Sequence, residues 1–288
     1  MSFQHYIITR FNVSLEPAGH STVCTREYLD YRFPLFERFC LPSVIGQTCQ
    51  DFKWFVLFDA NTPDDYLQRA DDIHKRYPNF IPCHLDSNRY IKESFVINHV
   101  GDIETDQCLC GILSLFIKEC INTTTTIVPD FYVTTRLDSD DALHCDMVAT
   151  IQQKVKNDAQ FVAYDFVYSY KYILNEKIAY RYPLLNGHFI TLVEPSSESF
   201  RSVLFCNHLN IDKFVSVEHF YQRPLQTELI HGGNVVNDFT ELTISGLLYA
   251  LLHFHGRNFG HVPLEYSYKR VFYILAFLIK ERIRCFRR

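Results

Sequence analysis

Strand-like and helix-like segments alternate through the first half of this 288-residue sequence, and this alternation is its strongest constraint on the fold. Short apolar runs over His5–Thr9, Phe52–Phe58 and Phe131–Leu137 predict buried strands. Between them, Tyr28–Ile45 and Asp106–Ile121 have the spacing of helices. Strands that alternate with helices in this way are typical of an α/β fold with a parallel sheet.

Proline and threonine positions refine these boundaries. Pro42 predicts a kink or an early end in the first helix, and Pro82 predicts an interruption of a third strand over Phe80–Leu85. Thr62, followed by Pro63 and two acidic residues, predicts a helix start with Thr62 as its N-cap. Another helix is predicted at about residues 144–156.

The second half of the chain has a mixed pattern. It predicts a hairpin, two short strands, a polar segment over 216–240 and two helices, and no linker separates it from the first half. We therefore expect one domain with two lobes. The predicted segments are the hairpin Phe161–Tyr172 with Lys177–Tyr182, the strands His188–Val193 and Ser202–Asn207, and the helices Thr240–His253 and Leu264–Arg287.

Charge and cysteine content exclude several classes of protein. The net charge of -5 argues against a general nucleic-acid binder, which needs lysine and arginine to neutralise phosphates. The ten cysteines form no C-x-x-C pair, which disfavours a zinc ribbon and favours reduced thiols in the cytosol. Residues 269–288 carry a net charge of +6, and the nine-residue apolar run Val271–Ile279 is too short to span a bilayer. This basic helix is expected either to lie on an anionic membrane surface or to pack on the core.

The most informative motif is Asp138-Ser139-Asp140-Asp141, which directly follows the apolar strand Phe131–Leu137. Ligands bind at the carboxyl ends of strands in open α/β sheets, and clustered carboxylates favour a divalent cation shared with a diphosphate. The alternative is a helix N-cap with acidic residues in the first turn. An EF-hand is disfavoured because the sixth position is Leu143 instead of glycine. An aspartyl phosphatase usually carries its motif on the first strand, whereas this motif lies in the middle of the chain.

Several segments together resemble a known family over most of residues 5–240. They are Ile8-Thr9-Arg10-Phe11-Asn12, Arg38-Phe39-Cys40-Leu41-Pro42-Ser43-Val44, Phe52-Lys53-Trp54 leading to Asp59, Thr135-Arg136-Leu137-Asp138-Ser139-Asp140-Asp141-Ala142-Leu143, and Ile230-His231-Gly232-Gly233-Asn234. This combination resembles the family called "putative rhamnosyltransferase", which has the GT-A glycosyltransferase fold. The resemblance implies a Rossmann-like nucleotide-binding sheet, a mixed acceptor-side lobe and C-terminal helices.

The resemblance also implies an activity and its partners. The donor would be a dTDP-, UDP- or GDP-sugar, the cofactor Mn²⁺ or Mg²⁺, and the acceptor a saccharide or a lipid-linked saccharide. It divides the chain into a transferase domain over 1–262, with a nucleotide-sugar lobe over 1–143 and an acceptor lobe over 144–262, followed by a basic helix over 263–288. The expected location is the cytoplasm, with peripheral contact to the inner face of the membrane.

Residues that match the family's motifs take on expected roles. Asp140 is expected to be the main metal ligand, with Asp138, Asp141 and His231 around it. The alternative interpretation of Asp59 is an aspartate that forms a turn. For Arg10 it is a structural ion pair, and for His231 it is a histidine in a solvent-facing loop. The expected donor-binding residues are Thr9, Arg10, Asp59, Arg136, Asp138 and Asn234.

Transfer with inversion requires a general base that takes the proton of the acceptor hydroxyl. Glu228, Glu194 and Asp238 are candidates, and the sequence does not choose among them. A nucleotidyltransferase is disfavoured because the segment over 12–20 has no lysine. A non-catalytic nucleotide- or saccharide-binding module with the same fold remains the main alternative. A membrane adaptor that uses only its C-terminal helix is the third.

Overall fold

A computed structural model of the chain describes residues 1–13, 22–86, 89, 103–232, 242–260 and 264–286. The strands are β1 Phe3–Arg10, β2 Lys53–Asp59, β3 Phe80–Leu85, β4 Phe131–Arg136, β5 Ala142–Leu143, β6 Val162–Phe166, β7 Tyr168–Ile173, β8 Ile178–Pro183, β9 Thr191–Pro195, β10 Val217–Phe220 and β11 Gln226–Ile230. The α-helices are α1 Arg26–Leu35, α2 Leu41–Ile45, α3 Asp64–Arg76, α4 Ile103–Thr124, α5 Met147–Asn157, α6 Ile244–His253 and α7 Tyr268–Phe286.

Two sheets organise the described residues. The first has seven strands in the order β10-β6-β9-β4-β1-β2-β3, and all neighbours are parallel except those that involve β9. The second has four strands in the order β5-β11-β7-β8. Strands β6, β9 and β10 come from the predicted acceptor lobe and join the first sheet, so the two predicted lobes share one sheet.

The first sheet is buried on both faces, which explains its nearly continuous apolar strands. Successive residues of a strand point to opposite faces, so Trp54 and Val56 pack with one helix layer while Phe55 and Leu57 pack with the other. One layer contains α1, α3 and α5, and the opposite layer contains α4. The predicted α/β fold with a largely parallel sheet is confirmed.

Several local predictions in the first half need correction. The predicted first helix is divided by a π-helical turn over Phe36–Cys40, which lies between α1 and α2 and follows Pro34. The third strand is not interrupted at Pro82, because β3 is an edge strand, where a missing N–H group is tolerated. Thr62 does not cap α3, since its hydroxyl donates to the Asp59 carbonyl and the helix begins after Pro63.

The second half departs further from the predicted pattern. Only the part of the hairpin over β7 and β8 forms, because β6 pairs in the other sheet. The predicted strand over 202–207 is absent from the described residues, which form turns there, with Ser202 at a φ of 62°. The polar segment over 216–240 contains two strands, β10 and β11.

The two C-terminal helices pack on the second sheet. Val271 and Leu275 of α7 are buried with Leu247 of α6 and with Tyr180 and Tyr182 of β8. Within the described ranges, no helix combines the length and apolar character needed to cross a bilayer. The prediction that the basic C-terminal helix packs on the core is therefore correct for the inner face of α7.

The buried His5 side chain is expected to make stability depend on pH. Its Nε2 lies 2.9 Å from the Thr135 hydroxyl, its Nδ1 has no hydrogen-bond partner, and burial lowers its pKa from 6.5 to about 3. The unfolded chain therefore takes up a proton near pH 6.5 while the folded chain does not. The free energy of unfolding should fall by about 1.4 kcal/mol per pH unit from this group as the pH drops from about 6.5 towards 4.

Urea unfolding at pH 7 and pH 5 of the wild type and of His5→Gln measures this effect. Between pH 7 and pH 5, the free energy of unfolding of the wild type should fall by about 2 kcal/mol more than that of the variant. His144 and His208, whose pKa values are also lowered by burial, are present in both proteins, so the difference isolates His5. Equal losses in the two proteins would contradict the assignment.

Candidate active site

The acidic turn Asp138–Asp141 lies where the chain passes from the first sheet to the second. β4 ends at Arg136, opposite Ile8 of the parallel strand β1, and β5 begins directly after the turn. The turn is therefore at the carboxyl edge of the parallel strands, where ligands bind in α/β sheets. The segment from α1 to α2 packs beside it, since the Ser43 hydroxyl accepts a hydrogen bond from the Leu143 N–H group.

Asp138 is held as a carboxylate by the positive charges around it. Its side chain is 32% exposed, and the Arg136 guanidinium lies 3.3 Å from Oδ1. Burial opposes ionisation of this carboxyl, but the charges of Arg136, His188 and Arg10 outweigh burial and hold its pKa well below the usual range. Asp138 thus presents a negative charge at the mouth of the site.

Asp141 is buried and pairs with His188, a residue that the sequence analysis did not identify. Oδ1 of Asp141 accepts a hydrogen bond of 3.0 Å from the Leu229 N–H group, and Oδ2 lies 3.3 Å from Nε2 of His188. Burial and the neighbouring carboxylates raise the pKa of Asp141 to about 7. Burial lowers the pKa of His188, but Asp141, Asp138 and Glu228 outweigh it and raise that pKa to about 9.

Asp138, Asp141 and His188 bring three potential ligand atoms within 4.8 Å of one another. Two carboxylate oxygens and one imidazole nitrogen fit a divalent cation, provided that His188 gives up its proton on binding. A second cluster, His144-Cys145-Asp146, also occurs among the described residues. In this cluster His144 accepts a hydrogen bond from the Asp146 N–H group, and Asp146 pairs with Arg223. The first cluster is the better candidate because it lies at the carboxyl edge of the parallel strands, where ligands bind.

Asp140 and His231, both expected as metal ligands, are instead placed in a separate network. Oδ2 of Asp140 accepts hydrogen bonds from Arg32 at 2.6 Å and from Nε2 of His231 at 2.8 Å. Nδ1 of His231 lies 2.7 Å from the Tyr31 hydroxyl. Neither residue lies in the cluster of Asp138, Asp141 and His188. Asp140 fastens the acidic turn to α1.

Removing the charge of Asp140 should therefore destabilise the fold. Asp140→Asn leaves the mostly buried Arg32 without a compensating charge, and we expect a loss of about 3 kcal/mol in the free energy of unfolding. Arg32→Met should lower the free energy of unfolding by a similar amount. The variant that carries both substitutions should lose less than the sum of the two single losses. Urea denaturation of the three variants measures these changes.

The pair Arg26–Asp65 provides a matched control for this prediction. It has the same chemistry at 2.8 Å, but both side chains are more than half exposed. Asp65→Asn should leave the urea midpoint essentially unchanged, because exposed ion pairs contribute little. Equal stability of Asp140→Asn and Asp65→Asn would show that the Arg32–Asp140 contact does not hold the turn.

A basic cavity of about 160 Å³ opens at the ends of β1 and β4, next to Asp138. Arg10 and Arg136 supply its charge, and burial together with Arg136 lowers the pKa of His208 to about 4, so His208 is neutral there. Two guanidinium groups at the carboxyl edge of the sheet can hold an anion such as a diphosphate. The lining residues are Arg10, Cys110, Leu113, Arg136, Leu204, Cys206, Asn207 and His208.

Two expected donor-binding residues have structural partners. Thr9 is fully buried, and its hydroxyl accepts a hydrogen bond of 2.9 Å from the Trp54 indole. Asp59 accepts hydrogen bonds of 2.8 Å from both the backbone and the side-chain N–H groups of Asn61, which forms a turn at the end of β2. The structure therefore places Thr9 in the core, and for Asp59 it matches the turn interpretation.

Glu228 is the candidate base that lies at the acidic turn. It precedes Leu229, whose N–H group is bonded to Asp141, and its charge contributes to the raised pKa of His188. Oε2 of Glu228 accepts a hydrogen bond of 2.6 Å from the Tyr182 hydroxyl and lies 4.0 Å from Nζ of Lys171. Glu228 is thus one residue from the backbone contact that links β11 to Asp141.

Glu194, the second candidate base, lies away from the turn. It is 1% exposed, and its two oxygens accept hydrogen bonds from the backbone N–H groups of Arg201 and Ser202. On β9 it pairs with Tyr132, which is roughly 20 Å along the strand from Asp138 at about 3.3 Å per residue. This position does not fit a base at the acidic turn. Asp238 and Asn234 lie outside the described residues.

A family model described as "Putative rhamnosyl transferase" matches residues 12–109 of the chain. The match confirms the resemblance found in the sequence over this stretch, which is about a third of the chain. It includes the segment with Arg32 and the end of β2, and it ends before the acidic turn. A comparison with curated proteins gives no match.

Three solved structures match most of this chain at low sequence identity and with TM-scores below 0.5. S. aureus TarS has 12% identity and a TM-score of 0.40, with 80% of this chain and 60% of that chain covered. A "putative nucleotide-diphospho-sugar transferase" from Desulfovibrio desulfuricans has 11% identity and a TM-score of 0.36, with 80% and 81% covered. The inositol-1-phosphate CTP transferase from T. maritima has 10% identity and a TM-score of 0.35, with 83% and 92% covered. The chain thus spans about three fifths of the TarS structure.

Proposed function

We propose that the chain is a metal-dependent glycosyltransferase that moves a sugar from a nucleotide-sugar donor to an acceptor hydroxyl. The observation that carries this proposal is the juxtaposition of the Asp138, Asp141 and His188 cluster with the two arginines of the basic cavity. A donor diphosphate needs both a cation and basic side chains, and these lie side by side at the carboxyl edge of the sheet. The family match supports the same activity.

Arg10 and Arg136 would hold the donor diphosphate in the cavity. Their guanidinium groups can form paired hydrogen bonds to phosphate oxygens, and they are fixed at the ends of adjacent parallel strands. Arg136 also pairs with Asp138, so the anion would be bound next to the carboxylate of the cluster. The donor would thus have its diphosphate at the cluster and its sugar towards the second sheet.

Asp138, Asp141 and His188 would hold a divalent cation. When bound, it would act as a Lewis acid that offsets the charge of the leaving diphosphate. An imidazole nitrogen beside two carboxylates favours Mn²⁺ over Mg²⁺, which prefers an all-oxygen shell. Because His188 binds a proton in the free protein, cation binding must displace that proton.

Glu228 would act as the general base. The acceptor oxygen attacks the anomeric carbon of the donor, its proton passes to Glu228, and the bond from that carbon to the diphosphate oxygen breaks. The Tyr182 hydroxyl holds Oε2 of Glu228 in place. A base on the face of the sugar opposite the diphosphate gives transfer with inversion.

We place rhamnose first among the candidate sugars, because the matching family is described as a rhamnosyl transferase. The acceptor would be a saccharide or a lipid-linked saccharide. The expected site of action is the cytoplasmic side of a membrane, where the eight cysteines described as free thiols would stay reduced.

A donor panel tests the proposal. The protein is incubated with Mn²⁺ and with dTDP-rhamnose, UDP-sugars or GDP-sugars, and release of the nucleoside diphosphate is measured with and without saccharide acceptors. We expect one donor to be consumed, faster with an acceptor, and only when metal is present. Nucleotide binding without turnover of any donor would instead support the non-catalytic module.

A further inference from the structure

Helix α7 has an inner face that is firmly packed. Val271 and Leu275 are buried against β8 and α6, with Ile274 and Leu278 beside them. These positions follow the spacing of one helical stripe. This stripe attaches α7 to the second sheet. It does not include the opposite side of the helix.

The outer surface of α7 is apolar as well. Phe272, Tyr273, Phe277 and Ile279 are each 46–66% exposed, and α6 next to them exposes Leu248 and Leu252. We call these six side chains the α7 face. Large exposed apolar patches on a soluble domain usually mark an interaction site.

Basic residues accompany the α7 face. Lys269 and Lys280 are exposed and lie on the outer side of the helix, in line with each other. Phe272 and Ile279 lie on one side of this line, and Tyr273 and Phe277 lie on the other. Beyond them the sequence adds Arg282, Arg284, Arg287 and Arg288, which gives residues 269–288 a net charge of +6. The remainder of the chain carries -11.

We propose that the α7 face binds an anionic bilayer surface. Aromatic and aliphatic side chains enter the boundary between headgroups and acyl chains, while lysines reach the anionic headgroups. The acidic remainder of the chain is repelled by such a surface, so the charge distribution also orients the molecule. A second copy of the chain is a poorer occupant, because it would bring an equally basic tail against the first.

The inner stripe of α7 is connected to the candidate base through Tyr182. Tyr182 packs in the same cluster as Val271 and Leu275, and its hydroxyl donates to Glu228. Helix α7 and the Tyr182 side chain would thus separate a bilayer bound at the α7 face from Glu228. If the proposed transfer reaction is correct, a lipid-linked saccharide is the acceptor that this arrangement favours; the membrane contact itself does not depend on that reaction.

Vesicle co-sedimentation of the full chain tests the proposal. We compare vesicles of phosphatidylglycerol mixed with phosphatidylcholine against phosphatidylcholine alone. The wild type should bind the anionic vesicles, and added salt should weaken the binding. Phe272→Ser combined with Phe277→Ser should lower the partition coefficient about tenfold or more. Lys269→Gln combined with Lys280→Gln should lower it about 30-fold at roughly 1 kcal/mol per lysine.

Ile127→Ser combined with Val128→Ser is the matched control. These two side chains are 71% and 70% exposed but precede β4, far along the chain from α7. This double variant should bind vesicles as the wild type does. Far-UV circular dichroism shows whether each variant is folded. Calorimetric titration of nucleoside diphosphate with Mn²⁺ and without vesicles reports on the donor site separately from the membrane surface.

Failure of the wild type to bind anionic vesicles would overturn the proposal, as would equal losses in the α7 and control variants. Dimerisation in analytical ultracentrifugation that the Phe272 and Phe277 substitutions abolish, with no vesicle binding, would assign the α7 face to a second copy instead. Vesicle binding without nucleotide binding would support the membrane proposal and contradict the proposed transfer reaction.

Discussion

Asp138→Asn should abolish metal-dependent nucleotide binding. The substitution removes one of the two carboxylates in the cluster with His188. It also removes the charge partner of Arg136, whose side chain is 12% exposed, so far-UV circular dichroism of the variant accompanies the titration. A bound cation contributes several kcal/mol, so we expect affinity for a nucleoside diphosphate in Mn²⁺ to fall by roughly 1,000-fold. Calorimetric titration with and without Mn²⁺ measures the loss.

Two comparisons sharpen this test. Asp51→Asn makes the same chemical change at an exposed position just before β2, at the opposite end of the sheet, and should bind as the wild type does. Asp141→Asn should also lose metal-dependent binding. Unchanged affinity in Asp138→Asn would show that the acidic turn does not hold a cation for the donor.

Glu228→Gln should remove transfer without removing donor binding. The amide keeps the size of the side chain and can still accept a hydrogen bond from Tyr182, but it cannot take a proton from the acceptor. Loss of general base catalysis typically lowers a rate by about 10²–10⁴-fold. We expect that fall in the rate of sugar transfer, with an unchanged Kd for the nucleoside diphosphate.

Glu194→Gln is the control, because it makes the same change at a buried glutamate bonded only to backbone N–H groups. This variant should unfold at a lower temperature, since a buried charge-assisted contact is lost, and it should keep its turnover while folded. If Glu194→Gln lost transfer and Glu228→Gln kept it, the assignment of the base would be reversed.

The fold of the first half could be predicted because its signals are local. Apolar runs mark strands β1, β2 and β4, and the carboxyl end of β4 locates the acidic turn without knowledge of distant residues. The second half resisted prediction because β6 and β7 follow one another in sequence but pair in different sheets. That choice depends on long-range packing, which a local pattern does not encode.

The position of the acidic turn could be predicted from the sequence, but the contacts of its individual residues could not. Arg32 reaches Asp140 from 108 positions earlier in the chain, and His188 reaches Asp141 from the segment before β9. Neither residue stands in a motif, since arginine in a helix and histidine in a loop are common. Motif spacing identifies the carboxylates of the turn, including Asp140, but does not reveal which of them pairs with an arginine.

The most direct test of the central claim is calorimetric titration of dTDP, UDP and GDP into the wild-type protein, each with and without Mn²⁺. The structure joins a basic cavity to a cluster of two carboxylates and one histidine, so one nucleotide should bind tightly and only with metal. That result would identify the donor class. Absence of binding for all three nucleotides, with or without metal, would contradict the proposed donor site.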